Sequence, residues 1–242
     1  MKKLLRELNS FVKGFILFLR PGVYLGFLAK PFLFSSNLLQ LTRWISKNNS
    51  KKILNDFYRP VRNYSDREKL YVSVLQNEKL SDAEINYLEF GVFQGAAFKW
   101  WLNANKNPSS KFFGFDTFEG LPESWGTYGQ GDMSSGLPQI NDTRHEFVKG
   151  LFQETLFNFL STHDISNKRR VIHMDADLFS STLFVLTTLA PHLRKEDIIF
   201  FDEFNVPNHE FFAFKIFCES FYIKFELLGA VNNFYQVAFK VV

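Results

Sequence analysis

Between residues 63 and 242 the chain alternates short, strongly apolar runs with longer stretches of helical period. "INYLEFG" (85–91), "KFFGFD" (111–116), "RRVIHMDAD" (169–177) and "DIIFFDEF" (197–204) are apolar through their middles and acidic near their ends. Strict alternation marks a strand with one wet face, whereas unbroken apolar runs of this length mark strands buried on both faces. Helix-length segments at 96–105, 151–162 and 180–193 lie between or beside them, and the last places Leu183, Leu186, Leu189 and Leu193 near one face. "FVKGLFQETL" (147–156) reads as a strand turning into a helix near Gly150, and "EFFAFKIFCESF" (210–221) as a further helix. Residues 223–229 and 233–242 read as a closing pair of strands joined near Asn232 and Asn233. Strand and helix in alternation predict an α/β domain: a doubly wound, mostly parallel seven-stranded sheet with a closing antiparallel strand.

Residues 1–62 follow a different pattern. They hold twelve Lys and Arg against only Glu7 and Asp56, so the net charge of +3 divides into a basic N-terminal segment and an acidic remainder. The same segment is greasy ("FVKGFILFLRPGVYLGFLAKPFLF"), but Lys13, Arg20 and Lys30 interrupt it and Pro21 and Pro31 are expected to break its helices. No uncharged apolar run reaches the ~18 residues that crossing a bilayer takes, and no small-residue cleavage site follows the apolar stretch. The pattern predicts short amphipathic helices over 1–62 beside a catalytic-size domain over 63–242. They serve either as a cap or dimer surface, or, through residues 1–45, as a peripheral membrane contact. No aromatic-plus-arginine readout motif accompanies the charge, so a nucleic-acid partner is not expected. The one cysteine, Cys218, sits among aromatics and reads as core, which suits a reducing compartment and a cytoplasmic protein, in the second case at the inner face of the membrane.

The candidate chemistry begins at "YLEFGVFQGAAF" (87–98). Gly91 and Gly95 bracket the turn leaving the first apolar strand, where a backbone without Cβ atoms admits a ligand closely. The next strand ends at Asp116, about 20 positions on, the place of a carboxylate that binds ribose hydroxyls. Glu89 just before the turn disfavours a pyrophosphate there but suits the ammonium of an amino-acid-bearing nucleoside, of which S-adenosylmethionine is one and NAD is not.

Five blocks, "YLEFGVFQGAAF", "FFGFDTFEGLPESW", "FVKGLFQETL", "HMDADLFSSTL" and "IIFFDEF", in this order and spacing, resemble the macrocin O-methyltransferase family of class I S-adenosylmethionine-dependent methyltransferases. The resemblance covers 63–242. It implies a Rossmann-like sheet, S-adenosylmethionine as donor, and methylation of a sugar hydroxyl of a glycan, glycolipid or glycosylated metabolite with Mg²⁺ assistance. By the same resemblance Glu89, Phe90, Gly91, Gly95, Asp116, Thr117, Phe118 and Asp175 fall in the cofactor-binding blocks. Asp175, Asp202 and Glu203 fall at the metal-carrying positions, with Asp175 and Asp202 the catalytic pair.

The residues themselves support that chemistry. Acids at the carboxyl ends of neighbouring strands converge on one point and repel one another unless a cation or proton compensates; oxygen ligands of this kind suit Mg²⁺. Glu203 stands where the family has aspartate and Ala176 where it has glycine. Asp175, Asp177, His145, His173 and His209 all remain candidates for the general base, and Glu210 for reaching the same cleft. The Gly-rich stretch 117–142 is long enough to be a functional loop over the site, with Trp125 and Tyr128 offering flat faces; Phe152 and Gln153 are candidate contacts on the adenine side. A nicotinamide oxidoreductase and a binding protein that has lost its chemistry are the alternatives. Glu89 and the missing GxGxxG weigh against the first, and the retained acid set against the second.

Overall fold

A computed structural model describes residues 1–242. The chain divides into two compact units, Met1–Gln40 and Leu41–Val242.

The first unit is helical: α1 (Lys2–Leu19), α2 (Pro21–Leu25) and the start of α3 (Ala29–Asn48). Arg20 closes α1 in the left-handed region and Pro21 opens α2, the break expected there. Pro31 does not break a helix. It lies in the first turn of α3, where a missing N–H has no intrahelical partner to lose. No single helix is long and apolar enough to cross a membrane.

In the second unit, the end of α3 and β1 (Leu54–Asn55) precede α4 (Arg67–Asn77), and then strand and helix alternate: β2 (Ile85–Phe90), α5 (Ala96–Ala104), β3 (Lys111–Asp116), β4 (His145–Lys149), α6 (Phe152–Thr162), β5 (Arg169–Met174), α7 (Phe179–Leu189), β6 (Ile198–Phe201), α8 (Glu210–Phe221), β7 (Phe225–Val231) and β8 (Gln236–Val241). The sheet order is β1-β7-β8-β6-β5-β2-β3-β4, with β8 antiparallel to both β6 and β7 and every other pair parallel. This is the doubly wound sheet the apolar runs predict, with eight strands instead of seven. The extra member is β1, two residues long and without an apolar signature of its own.

Period-two burial assigns each strand side chain to one of two cores. On one face Leu88, Phe90, Phe113, Phe115, Ile172, Met174, Ile199 and Phe201 pack with α6, α7, α8 and the end of α3, where Trp44 sits edge-on to Phe211, Phe234 and Phe239. On the other, Ile85, Tyr87, Phe112, Val171, Ile198 and Phe200 pack with α4 and α5. Cys218 is a partly buried member of the first core, and burial pushes its thiol up to about 12. Two-sided burial explains why the sequence runs show no polar alternation.

The order places the functional cleft. The chain steps outward from β2 through β3 to β4, then returns to lay β5 on the other side of β2, so the strand order reverses between β2 and β5. Open α/β sheets bind ligands beyond the carboxyl ends of the strands at such a reversal.

Candidate active site

A cavity of about 410 Å³ opens at that reversal. Its walls come from the ends of β2, β3 and β5, the segment after β6, the loop after β3 and the start of α4. Backbone ladders continue one residue past each strand: Gly91 N donates to Phe115 O (2.9 Å), Asp175 N to Phe90 O (2.9 Å) and Asp202 N to Met174 O (3.0 Å). These bonds fix Gly91, Asp175 and Asp202 side by side before any side chain is considered.

Gly91 has φ +93°, and a Cβ there would lie 1.7 Å from the Asp175 carbonyl oxygen. The glycine is therefore required by the neighbouring strand's backbone as well as by its own conformation. Gly95 (φ +75°) caps α5, and a Cβ there would meet Pro138 at 3.1 Å. Gly91 lines the cavity; Gly95 shapes the turn from behind it.

The expected cofactor residues divide in the same way. Glu89, Asp116, Thr117 and Asp175 line the cavity, whereas Phe90 stacks on Phe115 in the core and Phe118 packs edge-on to Phe147. Asp116 proves to be an organiser of the turns: Oδ2 accepts from the Val92 and Phe93 N–H groups, both at 2.8 Å, and Oδ1 from Phe118 N at 2.7 Å. A carboxylate offers about four acceptor sites, so one direction stays open to a hydroxyl. Glu89 is buried and accepts a hydrogen bond from the Tyr87 hydroxyl, which lies 3.0 Å from His173 Nδ1; Tyr71 Oη is 3.3 Å from His173 Nε2. His173 is thus held beneath the cavity as a link between two tyrosines. Phe152 and Gln153 line the cavity as expected. His145 begins β4 at the opposite end of the sheet, and His209 turns Nδ1 to the Asp177 carbonyl oxygen at 2.9 Å. Trp125 and Tyr128 stack on each other, centroids 5.5 Å apart, and the loop's contribution to the wall is Thr117, Gly120, Leu121, Pro122 and Met133.

The acids converge. Ligand-type oxygens of Asp175, Asp177 and Glu203 lie within 4.8 Å of one another. The expected trio thus differs in one member: Asp177 joins Asp175 and Glu203, and Asp202 stands alongside. Asp177 reaches the group because its backbone is left-handed (φ +57°). Asp202 is fully buried, its Oδ2 accepting from the Tyr64 hydroxyl with Arg67 Nη1 at 3.7 Å. Burial and the charges of Asp202 and Asp177 hold the Asp175 carboxyl well above the usual range. Burial also raises Asp177, and burial with the Asp177 charge pushes Glu203 up to about 12. Glu210 is raised by burial, and its Oε2 accepts from the Glu203 backbone N–H at 2.9 Å.

Tyr64 and Arg67 are the wall residues sequence reading missed. They sit on a short 3₁₀ turn (Tyr64–Asp66) and the start of α4, in a segment with no motif, and only the tertiary fold brings them 138 and 135 positions back to Asp202.

Buried carboxylate oxygens without a donor carry the test for a cation. Asp202 Oδ1, Glu203 Oε2 and Glu210 Oε1 are all buried and unpartnered. Acceptors cannot satisfy one another, so such a set is incomplete without protons or a positive ion. The hard oxygen donors of Asp175, Asp177 and Glu203, within 4.8 Å of one another, are of the kind that suits Mg²⁺ or a similar divalent ion.

One prediction follows from the sign of these shifts. Glu203 binds its proton more tightly folded than unfolded, so the cation-free protein gains protons on folding. This contribution to stability is full below the unfolded carboxyl pKa of ~4.3 and is lost as pH rises toward 12. The Tm in chelator is expected to drop between pH 6 and 9, and Glu203→Gln to flatten that slope; differential scanning fluorimetry across pH checks both.

Residues 88–204 match the model of a family described as a methyltransferase domain. CalS11, described as a calicheamicin methyltransferase, shares the fold with a TM-score of 0.58 at 19% identity, over 85% of this chain and 91% of that one. The O-methyltransferase NovP does so with a TM-score of 0.55 at 20% identity, over 73% of this chain and 78% of that one. No curated protein sequence matches the chain. Likeness at these identities shows the fold, a Rossmann-like α/β sheet, with residues 88–204 similar to the methyltransferase-domain family.

Proposed function

We propose that this S-adenosylmethionine-dependent methyltransferase methylates a hydroxyl of a sugar, in a glycan, glycolipid or glycosylated metabolite, with a divalent cation on its acid cluster. The observation that carries the reading is the pairing, within one cavity, of a nucleoside-type turn (Glu89, Gly91, Asp116) and a carboxylate group with unpartnered buried oxygens (Glu203 Oε2, and Asp202 and Glu210 beside it). A second structure of CalS11, there described as a TDP-rhamnose 3'-O-methyltransferase and similar with a TM-score of 0.52 at 20% identity, agrees with a sugar acceptor.

Glu89, Gly91, Asp116 and Thr117 are the residues that would hold S-adenosylmethionine, which supplies a methyl group on a positively charged sulfur. Asp175, Asp177 and Glu203 would hold the cation, with Asp202 beside them; the ion supplies charge that lowers the pKa of a coordinated hydroxyl. The chain's own work is positional. The closed ladder between β2 and β5 fixes the distance between the nucleoside side and the acid side of the cavity, and good alignment of two reactants accounts for much of a transferase's rate. Asp175, on the cavity wall at the end of β5, would take the proton of the acceptor hydroxyl on a carboxylate oxygen once the cation has displaced its own proton. Leu121, Pro122, Met133 and Phe152 line the cavity with apolar surface that excludes water.

Incubation with radiolabelled S-adenosylmethionine and a panel of glycosides tests this. Label is expected on a sugar oxygen, and chelation with EDTA is expected to lower the rate by ~10²-fold or more with recovery on adding Mg²⁺. Full transfer in EDTA rejects the cation. Transfer to a nitrogen or carbon acceptor rejects the sugar hydroxyl.

A further inference from the structure

We propose that α1 is an in-plane anchor for an anionic lipid surface, a property separate from methyl transfer. None of its 18 residues is buried. At about 100° per residue, Phe18, Phe11, Leu4, Phe15, Leu8, Leu19, Val12, Leu5 and Ile16 fall on one continuous face of roughly 160°. Phe11 is 72% and Phe18 79% exposed. Lys2, Lys3, Arg6 and Lys13 fall on the remaining arc, with Glu7 the one acid in residues 1–40. Beyond α1 the apolar exposure continues through Val23, Tyr24, Phe27 and Phe32.

Large apolar patches on a water-soluble surface signify a partner. Charge selects which one. A second copy would bring the same net positive charge, six Lys and Arg against Glu7 in residues 1–40, close to this one, so self-association is opposed by like charge. A bilayer bearing anionic head groups is favoured both by the lysines and by burial of the phenylalanines at the acyl boundary. The helix lies in the plane rather than across it: α1 and the segment Pro21–Asn48 satisfy the length and composition of a span only together, bent by 52°, and Arg20 would then stand at the bend within the hydrocarbon.

The test is co-sedimentation of the full chain with phosphatidylcholine vesicles containing about 30 mol% phosphatidylglycerol, and with pure phosphatidylcholine. Binding to the anionic vesicles at least tenfold above the neutral ones is expected. Phe11→Glu with Phe15→Glu should abolish it, and Lys2→Glu with Arg6→Glu and Lys13→Glu should weaken it tenfold or more. Because α1 buries nothing, both variants should keep wild-type far-ultraviolet circular dichroism and Tm. Equal binding to both vesicle types, or none to either, overturns the proposal. So does a concentration-dependent dimer, seen by light scattering, that the Phe11→Glu and Phe15→Glu variant dissolves in the absence of any vesicle binding.

Discussion

Gly91→Ala is expected to destabilise the protein by more than about 4 kcal/mol and to abolish cofactor binding. The added methyl would occupy the Asp175 carbonyl oxygen, 1.7 Å away, and would sit on a residue at φ +93°. Neither atom can step aside, because Gly91 N and Asp175 N are both bonded into the ladder that joins β3, β2 and β5. Relief therefore requires separating β2 from β5 at the point where the cavity is built. Gly136→Ala is the control: a Cβ there meets nothing within 4 Å, and its effect should stay within ~0.5 kcal/mol. Urea denaturation of the pair measures the contrast. A Gly91→Ala protein with a wild-type midpoint would mean that β2 and β5 do not approach as described.

The second large effect has opposite signs in stability and activity. Asp175→Asn and Glu203→Gln each put a permanently neutral group where the cation-free protein has to keep a proton on a buried carboxyl, so the cation-free variants should melt several degrees higher than wild type, the more so as pH rises. Both carboxylates are also ligands of the cation in the proposed reading. The Mg²⁺ concentration for half-maximal methyl transfer is expected to rise ~10- to 100-fold in each, and the maximal rate to fall by ~10²-fold in Asp175→Asn, which also loses the proton acceptor. S-adenosylhomocysteine affinity should change by less than about threefold, because the nucleoside turn is untouched. A stable variant with unaltered metal requirement would remove that residue from the cation site. Acid clusters of this kind are stored instability that only a bound ion makes useful.

How much of this was legible before the fold was known depends on how local each signal is. The strands β2, β3, β5 and β6 announce themselves because burial on both faces leaves an unbroken apolar run, and Glu89, Asp116, Asp175 and Glu203 are visible because each stands at the end of such a run. The apolar run overstates the strand's end: in "RRVIHMDAD" the last bond to β2 is made by Asp175 N, and Ala176 and Asp177 turn away from the sheet to form the site. The role of Asp116 was less legible than its place. Three backbone N–H groups take its oxygens, and whether a carboxylate at a strand end serves a ligand or its own loop is decided by turn geometry that residue types do not encode. Tyr64 and Arg67 were not legible at all. They act on Asp202 from a segment whose sequence carries neither a motif nor a periodic pattern, and their proximity follows from α4 lying across the sheet. Pro31 misled for a simple physical reason: a proline interrupts a helix from its interior and starts one from its first turn, and the sequence alone left the start of α3 open.

The central claim is that the turn between β2 and α5, with the cavity below it, is an S-adenosylmethionine site. Isothermal titration of the purified chain with S-adenosylhomocysteine, with and without Mg²⁺ and with NAD⁺ as control, tests it most directly. The account predicts micromolar binding of S-adenosylhomocysteine in both conditions and none of NAD⁺. A folded protein that binds NAD⁺, or neither compound, would contradict it and leave Glu89 and Gly91 as parts of a turn with another purpose.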